Sequence, residues 1–106
     1  MRVYLDDVRN PPLFDSLTGK ELKWTIVRTA SECIDLIMNE DVTFISFDHD
    51  LGNDEDGTGY DVAKFIEEGV FKGVLDPIDY AIHSANPVGA NNIDNAMKSA
   101  FKLFEE

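Results

Sequence analysis

Three short β-prone runs in this chain stop abruptly on acids or histidines, and a chain built that way has few folds open to it. Arg2-Val-Tyr-Leu5 stops at Asp6-Asp7, Phe44-Ile-Ser-Phe47 at Asp48-His49-Asp50, and Tyr80-Ala-Ile82 at His83-Ser84. A fourth run, Lys23 to Arg28, reads as a strand lying between the first two in sequence. Elsewhere the apolar period lengthens to that of helices. Thr29 stands three residues before Glu32, a capping-box spacing, ahead of a helix expected to bury Cys33, Ile34, Ile37 and Met38. Thr58 and Asp61 repeat the spacing ahead of Val62, Phe65 and Ile66. In the last segment Ile93, Ala96, Met97, Ala100, Phe101 and Phe104 recur at three and four, one apolar stripe for core packing. Strands alternating with helices predict an α/β fold, a mainly parallel sheet with helices on both faces. Ligands of such sheets bind beyond the carboxyl ends of the strands. Acids and histidines from three separate loops converge on that edge.

Length allows one domain, residues 1–106, around one core. The formal charge of −12 opposes nucleic-acid binding, and the nine Lys and Arg are scattered, so no patch that grips duplex DNA is expected. A small phosphorylated ligand, an RNA end or a basic protein partner stays open. Arg2 leads into Val-Tyr-Leu and two aspartates and not into the apolar stretch of a signal peptide. No apolar run nears the roughly 20 residues of a membrane-spanning helix. Cys33, the one cysteine, falls on an apolar helix face and reads as a packing residue in a reducing compartment. The expected location is the cytoplasm, with no membrane contact.

A single acid at a strand end would be read as a cap or as solvated edge. Four acids and two histidines in three loops point to a shared site. Asp6, Asp7 and either Asp48 or Asp50 suit a hard divalent cation, Mg²⁺ or Mn²⁺, which prefers oxygen ligands. His49, between two aspartates, and His83 on the neighbouring loop form a candidate acid–base pair across a phosphate ester, unless each is only hydrogen-bonded in place. In Ser84-Ala-Asn-Pro-Val-Gly89, Asn86 before Pro87 has the order of a helix start, whose free N–H groups suit phosphate. Asn91 and Asn92 could add amides, though capping explains one of them. Several other motifs fail. Asp54-Glu-Asp-Gly-Thr-Gly59 imitates half an EF-hand loop, but Phe65 stands where its last ligand should be. His49-Asp50 lacks the further histidines of HD hydrolases, and Leu51 and Ala85 stand where two-histidine phosphoesterases need Ser or Thr. There is no Walker loop and no zinc spacing.

Leu5-Asp-Asp-Val-Arg9 with Pro11-Pro12, Ser46-Phe-Asp-His-Asp-Leu-Gly52, Gly59-Tyr-Asp61, and His83-Ser-Ala-Asn-Pro-Val-Gly89 with Asn92-Ile93 run in order along the chain. Together they resemble the cyclic-phosphate processing receiver-like domain, and more distantly the receiver domain of response regulators. The resemblance implies a flavodoxin-like sheet, here truncated to about four core strands. It implies that Asp6 and Asp7 match the receiver's acidic pair, Asp48 (with Asp50 its rival) the phosphoacceptor, and Ser84 the hydroxyl after the fourth strand. Two departures stand out: no fifth strand carries the receiver's lysine, and no clear helix lies between Pro12 and Trp24. The expected function is a metal-assisted phosphoesterase for a cyclic phosphate, such as a 2′,3′-cyclic RNA end or a cyclic nucleotide. Asp48, His49 and His83 would be its catalytic residues, and Arg9, Ser84, Asn86, Gly89 and Asn92 its phosphate ligands. The alternatives are a non-enzymatic module binding phosphate, nucleotide or protein, and a phosphoaspartate switch.

Overall fold

The computed structural model describes residues 1–52 and 57–105, so residues 53–56 of the loop Gly52–Gly57, and with them the first half of the segment Asp54–Gly59, lie outside the described residues. Along the chain run β1 (Arg2–Leu5), β2 (Thr25–Val27), α1 (Ala30–Asn39), β3 (Phe44–Phe47), α2 (Gly59–Phe71), β4 (Asp79–Ile82) and α3 (Pro87–Glu105). Each helix begins where local chemistry tells it to. The Thr29 side chain accepts the N–H of Glu32 at the start of α1. Thr58 and Asp61 close a full capping box on α2. Asn86 caps α3, its side-chain oxygen accepting the N–H of Gly89, with Pro87 at the first helical position. α2 ends as Gly73 takes a left-handed φ of 75°, a conformation a Cβ resists.

The four strands are all parallel, in the order β2-β1-β3-β4. Register places Val3 beside Thr25 and Ile45, and Ile45 beside Tyr80. Because side chains alternate, Val3, Leu5, Val27, Ile45, Phe47, Tyr80 and Ile82 share one face. Against that face pack Cys33 and Ile37 of α1, Val62, Ala63 and Ile66 of α2, and Ile93, Met97 and Ala100 of α3, in one continuous core. Each fully buried Leu, Ile, Val, Met or Phe here contributes about 1.5–3 kcal/mol from leaving water.

All three helices therefore lie on the same side of the sheet, which corrects the expectation of helices on both faces. Connection handedness gives the reason for α1 and α2, and α3, after the last strand, packs along α2. β2 to β3 and β3 to β4 both step one way along the sheet, and right-handed crossovers put their helices on one side. Only β1 to β2 steps back and could cover the other side. That connection holds Pro11 and Pro12 and a small antiparallel bridge, Phe14 to Glu21, and it forms no helix. Among the described residues no helix lies over the second face, with Arg2, Tyr4, Ile26, Phe44, Ser46 and Ala81.

Three smaller expectations change. β2 is three residues long, leaving Lys23 and Trp24 before it. Met38 is 62% exposed and Phe104 61% exposed, although both keep the apolar period of their helices. Phe65 and Phe101 are half-buried at the margin of the core. No helix among the described residues is long and apolar enough to cross a membrane.

Candidate metal and phosphate site

Asp6 organises the site. Its side chain is fully buried, and it folds the turn after β1 onto itself: Oδ1 accepts the N–H groups of Val8 (2.9 Å) and Arg9 (2.7 Å). Oδ2 accepts Arg9 Nε at 2.7 Å and His83 Nε2 at 3.0 Å. Burial alone would raise the Asp6 pKa. The backbone donors of Arg9 and Val8, the His83 hydrogen bond and the Arg9 charge outweigh it and hold the carboxyl below its ordinary value. Arg9 reaches a second acid, with one terminal nitrogen 3.5 Å from Asp48 Oδ2, so its guanidinium bridges the ends of β1 and β3. Arg28, just after β2, donates to the carbonyls of Asp6 (3.1 Å) and Arg9 (2.7 Å) and to Asn10 Oδ1 (3.0 Å). It ties that turn to the neighbouring strand.

Asp6, Asp7 and Asp48 each offer an oxygen within 4.8 Å of the other two. Asp7 Oδ2 lies over Gly52, where a Cβ would come within 3.1 Å of it, and Gly52 holds a left-handed φ of 84°. Asp48 is buried and takes its place because its N–H bonds the carbonyl of Leu5, the last rung between β3 and β1. Asp50 is parted from this group. It is largely exposed and accepts His49 Nδ1 at 2.8 Å, which lowers its pKa, with Asn86 Nδ2 at 3.4 Å from the same oxygen. Of the two rivals after β3, Asp48 joins Asp6 and Asp7, and Asp50 does not.

The two histidines fall into different surroundings. His83 lies flat on Tyr4, ring centroids 4.5 Å apart and planes 4° from parallel. A carboxylate can only accept, so Nε2 carries the proton donated to Asp6, and in the neutral ring Nδ1 accepts from the Ser46 hydroxyl at 2.7 Å. Burial lowers the His83 pKa and prevails over the hydrogen bond and charge of Asp6, which act to raise it. His49 lies against the start of α3, where a Cβ on Gly89 would come 2.3 Å from its Cγ. Its Nδ1 serves Asp50; among the described residues Nε2 has no hydrogen-bond partner.

The start of α3 offers less to a phosphate than its sequence promised. Gly89 gives its N–H to Asn86 (3.0 Å), the Asn86 N–H goes to Ser84 Oγ (3.1 Å), and Pro87 has none. Asn92 stands half-buried farther along α3, and no hydrogen bond among the described residues joins it to either group. The structure thus assembles Asp6, Asp7, Arg9, Asp48 and His83 as one group, and His49, Asp50, Asn86 and Gly89 as another beside it. Sequence reasoning missed Tyr4, Arg28 and Ser46. Alternation along β1 and β3, with Tyr4 and Ser46 in register, was the available signal for two of them.

Neither a curated protein nor a solved structure matches this chain. One family model does, that of the cyclic-phosphate processing receiver domain, and it matches residues 1–99, from before β1 into the last turns of α3. With four parallel strands in receiver order and a match over nearly its whole length, the chain belongs to the family of cyclic-phosphate processing receiver domains.

Proposed function

We propose that this chain is a metal-assisted phosphoesterase that opens a cyclic phosphate. The observation that carries the reading is the gathering of three carboxylates within 4.8 Å at the ends of β1 and β3, with Arg9 beside them. The donor set suits Mg²⁺ or Mn²⁺: it is all oxygen, and opposite ligands of an ion at about 2.1 Å stand about 4.2 Å apart, close to the spacing present. Asp6 already accepts four hydrogen bonds, so Asp7 and Asp48 are the residues left to hold the ion. Such an ion would neutralise phosphate charge as a Lewis acid.

The chain's own groups supply the rest. Arg9 is about half exposed and held at Asp6 through Nε, which leaves its terminal nitrogens able to exchange Asp48 for phosphate oxygens. His49 has its Nδ1 proton fixed by Asp50, so the neutral ring presents Nε2 as a base or, once protonated, as an acid. His83 holds Asp6 in position; both of its nitrogens are engaged. The test is to incubate the protein and Mg²⁺ or Mn²⁺ with nucleoside 2′,3′-cyclic phosphates. Ring-opened monophosphate is expected from the native chain and none from Asp48→Asn; intact substrate with both metals refutes the reading.

A second reading is favoured by the engagement of both His83 nitrogens: a non-enzymatic phosphate-binding module. It predicts a raised Tm with cyclic phosphates and no turnover.

A further inference from the structure

Parallel sheets are ordinarily covered on both faces. Here the face bearing Arg2, Tyr4, Ile26, Phe44, Ser46 and Ala81 carries no helix among the described residues, and Ile26 is 40% exposed although it sits within a strand. The connection from β1 to β2 overhangs this face along β2, and its Trp24 reaches across to Tyr4 of β1 and Phe44 of β3. Between that overhang and the strand runs a cavity of about 640 Å³, lined chiefly by Asn10, Pro11, Leu13, Leu22, Trp24 and Ile26. Its size is that of a small-ligand site.

Three observations say what it holds. First, its aromatic wall is rigid. Trp24 Nε1 donates to the carbonyl of Pro12 at 2.9 Å, and the indole meets Tyr4 and Phe44 edge-on at 5.5 and 6.1 Å. The Arg2 guanidinium lies 5.1 Å from its ring centre. Second, the cavity adjoins the turn that carries the acidic site. Asn10 lines it, Arg9 is the next residue back, and Arg28 bonds Asn10 Oδ1 together with the Asp6 and Arg9 carbonyls. Third, charge is uneven. Residues 1–28 hold five bases and four acids, and the rest of the chain four bases and seventeen acids. The cavity is built from a part of this acidic protein whose bases and acids nearly balance, with Glu21 and Lys23 both on its lining.

We infer that this cavity takes the nucleobase of a nucleoside 2′,3′-cyclic phosphate whose phosphate lies at Arg9. The inference rests on the phosphoesterase-site reading above and adds the substrate class to it. A flat ring with apolar faces and a polar rim of donors and acceptors matches apolar walls that end in Asn10, Glu21 and Lys23. Stacking on an aromatic side chain favours a base-bearing ligand about tenfold or more over one without a base.

Trp24 is the only tryptophan, so its fluorescence reports on the cavity directly. The native protein is titrated with adenosine 2′,3′-cyclic phosphate and with glycerol 1,2-cyclic phosphate, which shares the ring ester and has no base. Affinities come from NMR shift titration. The nucleotide is expected to bind about tenfold tighter and alone to change Trp24 emission. Leu13→Gln, a neutral change at an exposed position that the fold does not depend on, is expected to reduce the preference and leave glycerol cyclic phosphate binding unchanged. Equal affinity for the two ligands overturns the nucleobase site and leaves the phosphate site standing. Binding of neither overturns both. A ligand-free dimer by sedimentation that shields Trp24 from acrylamide overturns the inference in favour of a second copy of the chain.

Discussion

Gly59→Ala strikes the contact that sets the acidic site against α2. A Cβ built on Gly59 lies 2.0 Å from the backbone oxygen of Asp48, 3.0 Å from its carbonyl carbon and 3.2 Å from His49 Cα. Carbon–oxygen contacts normally begin near 3.3 Å. The first turn of α2 must retreat by about an ångström, because the obstacle is backbone and cannot turn aside. That retreat also strains the Gly59 N–H bond to the His49 carbonyl, 2.9 Å long. Alanine gains about 1 kcal/mol in helix propensity over glycine. Against this stand overpacking of about 1–3 kcal/mol and a weakened hydrogen bond worth about 1 kcal/mol. The net is a loss of about 1–3 kcal/mol. With an unfolding entropy of about 2.1 cal/mol/K per residue, Tm falls by roughly 5–13 °C. Thermal unfolding followed by circular dichroism measures it, with Gly69→Ala as the comparison. There the Cβ meets the Leu75 side chain at 2.3 Å, an obstacle able to rotate, so the drop is expected to be smaller. A Gly59→Ala protein as stable as the native one, or more stable than Gly69→Ala, refutes the account.

Thr58→Ala removes the N-cap of α2 and should lower stability by about 1 kcal/mol in urea unfolding. The Asp61 partner in that cap adds a pH signature. The backbone N–H of Thr58 holds its carboxyl below the ordinary value of 3.8, so its stabilisation is complete above that value and is lost as pH falls through the lower folded one. The Tm gap between native protein and Asp61→Asn should be constant from pH 5 to 7 and close in more acid solution; a gap that widens on acidification contradicts it. Cys33 is buried, and burial pushes its thiol up to about 12, so iodoacetamide should label it at pH 8 only after denaturation. Arg28→Ala cuts three hydrogen bonds to the turn holding Asp6 and should weaken Mn²⁺ binding severalfold in calorimetry; unchanged affinity would show that the turn holds itself.

What could be read from the chain was what is local. Thr29, Thr58 and Asn86 announce helix starts through contacts three residues long, and all three serve as N-caps. β1 and β3 begin and end where their apolar runs do. Illegible were features decided by distant partners. His83 is fixed by Asp6, 77 residues away, and by Ser46, 37 residues away. Asp48 and Asp50 differ by one turn of backbone that no alternation rule governs. Met38 and Phe104 keep the helical period yet stay mostly exposed, and periodicity carries no information about how closely a neighbour packs. The missing layer was legible in principle: the absence of a helical pattern between Pro12 and Trp24, joined to the handedness of crossovers, leaves one face of the sheet without a helix.

The Arg9 bridge changes what folding demands of this protein. Three acids crowded at one sheet edge would repel each other and favour opening of the two strand ends. A guanidinium attached to the same turn balances part of that charge from within the chain, at 2.7 Å from one buried carboxylate and 3.5 Å from another. The edge can therefore assemble without a divalent ion, and an ion bound as proposed above would compete for seats already taken. Its affinity is a difference between two cations, one free and one tethered. A chelator should then leave the folded chain standing while stripping it of metal, and shortening the tether with lysine should shift the contest toward the ion.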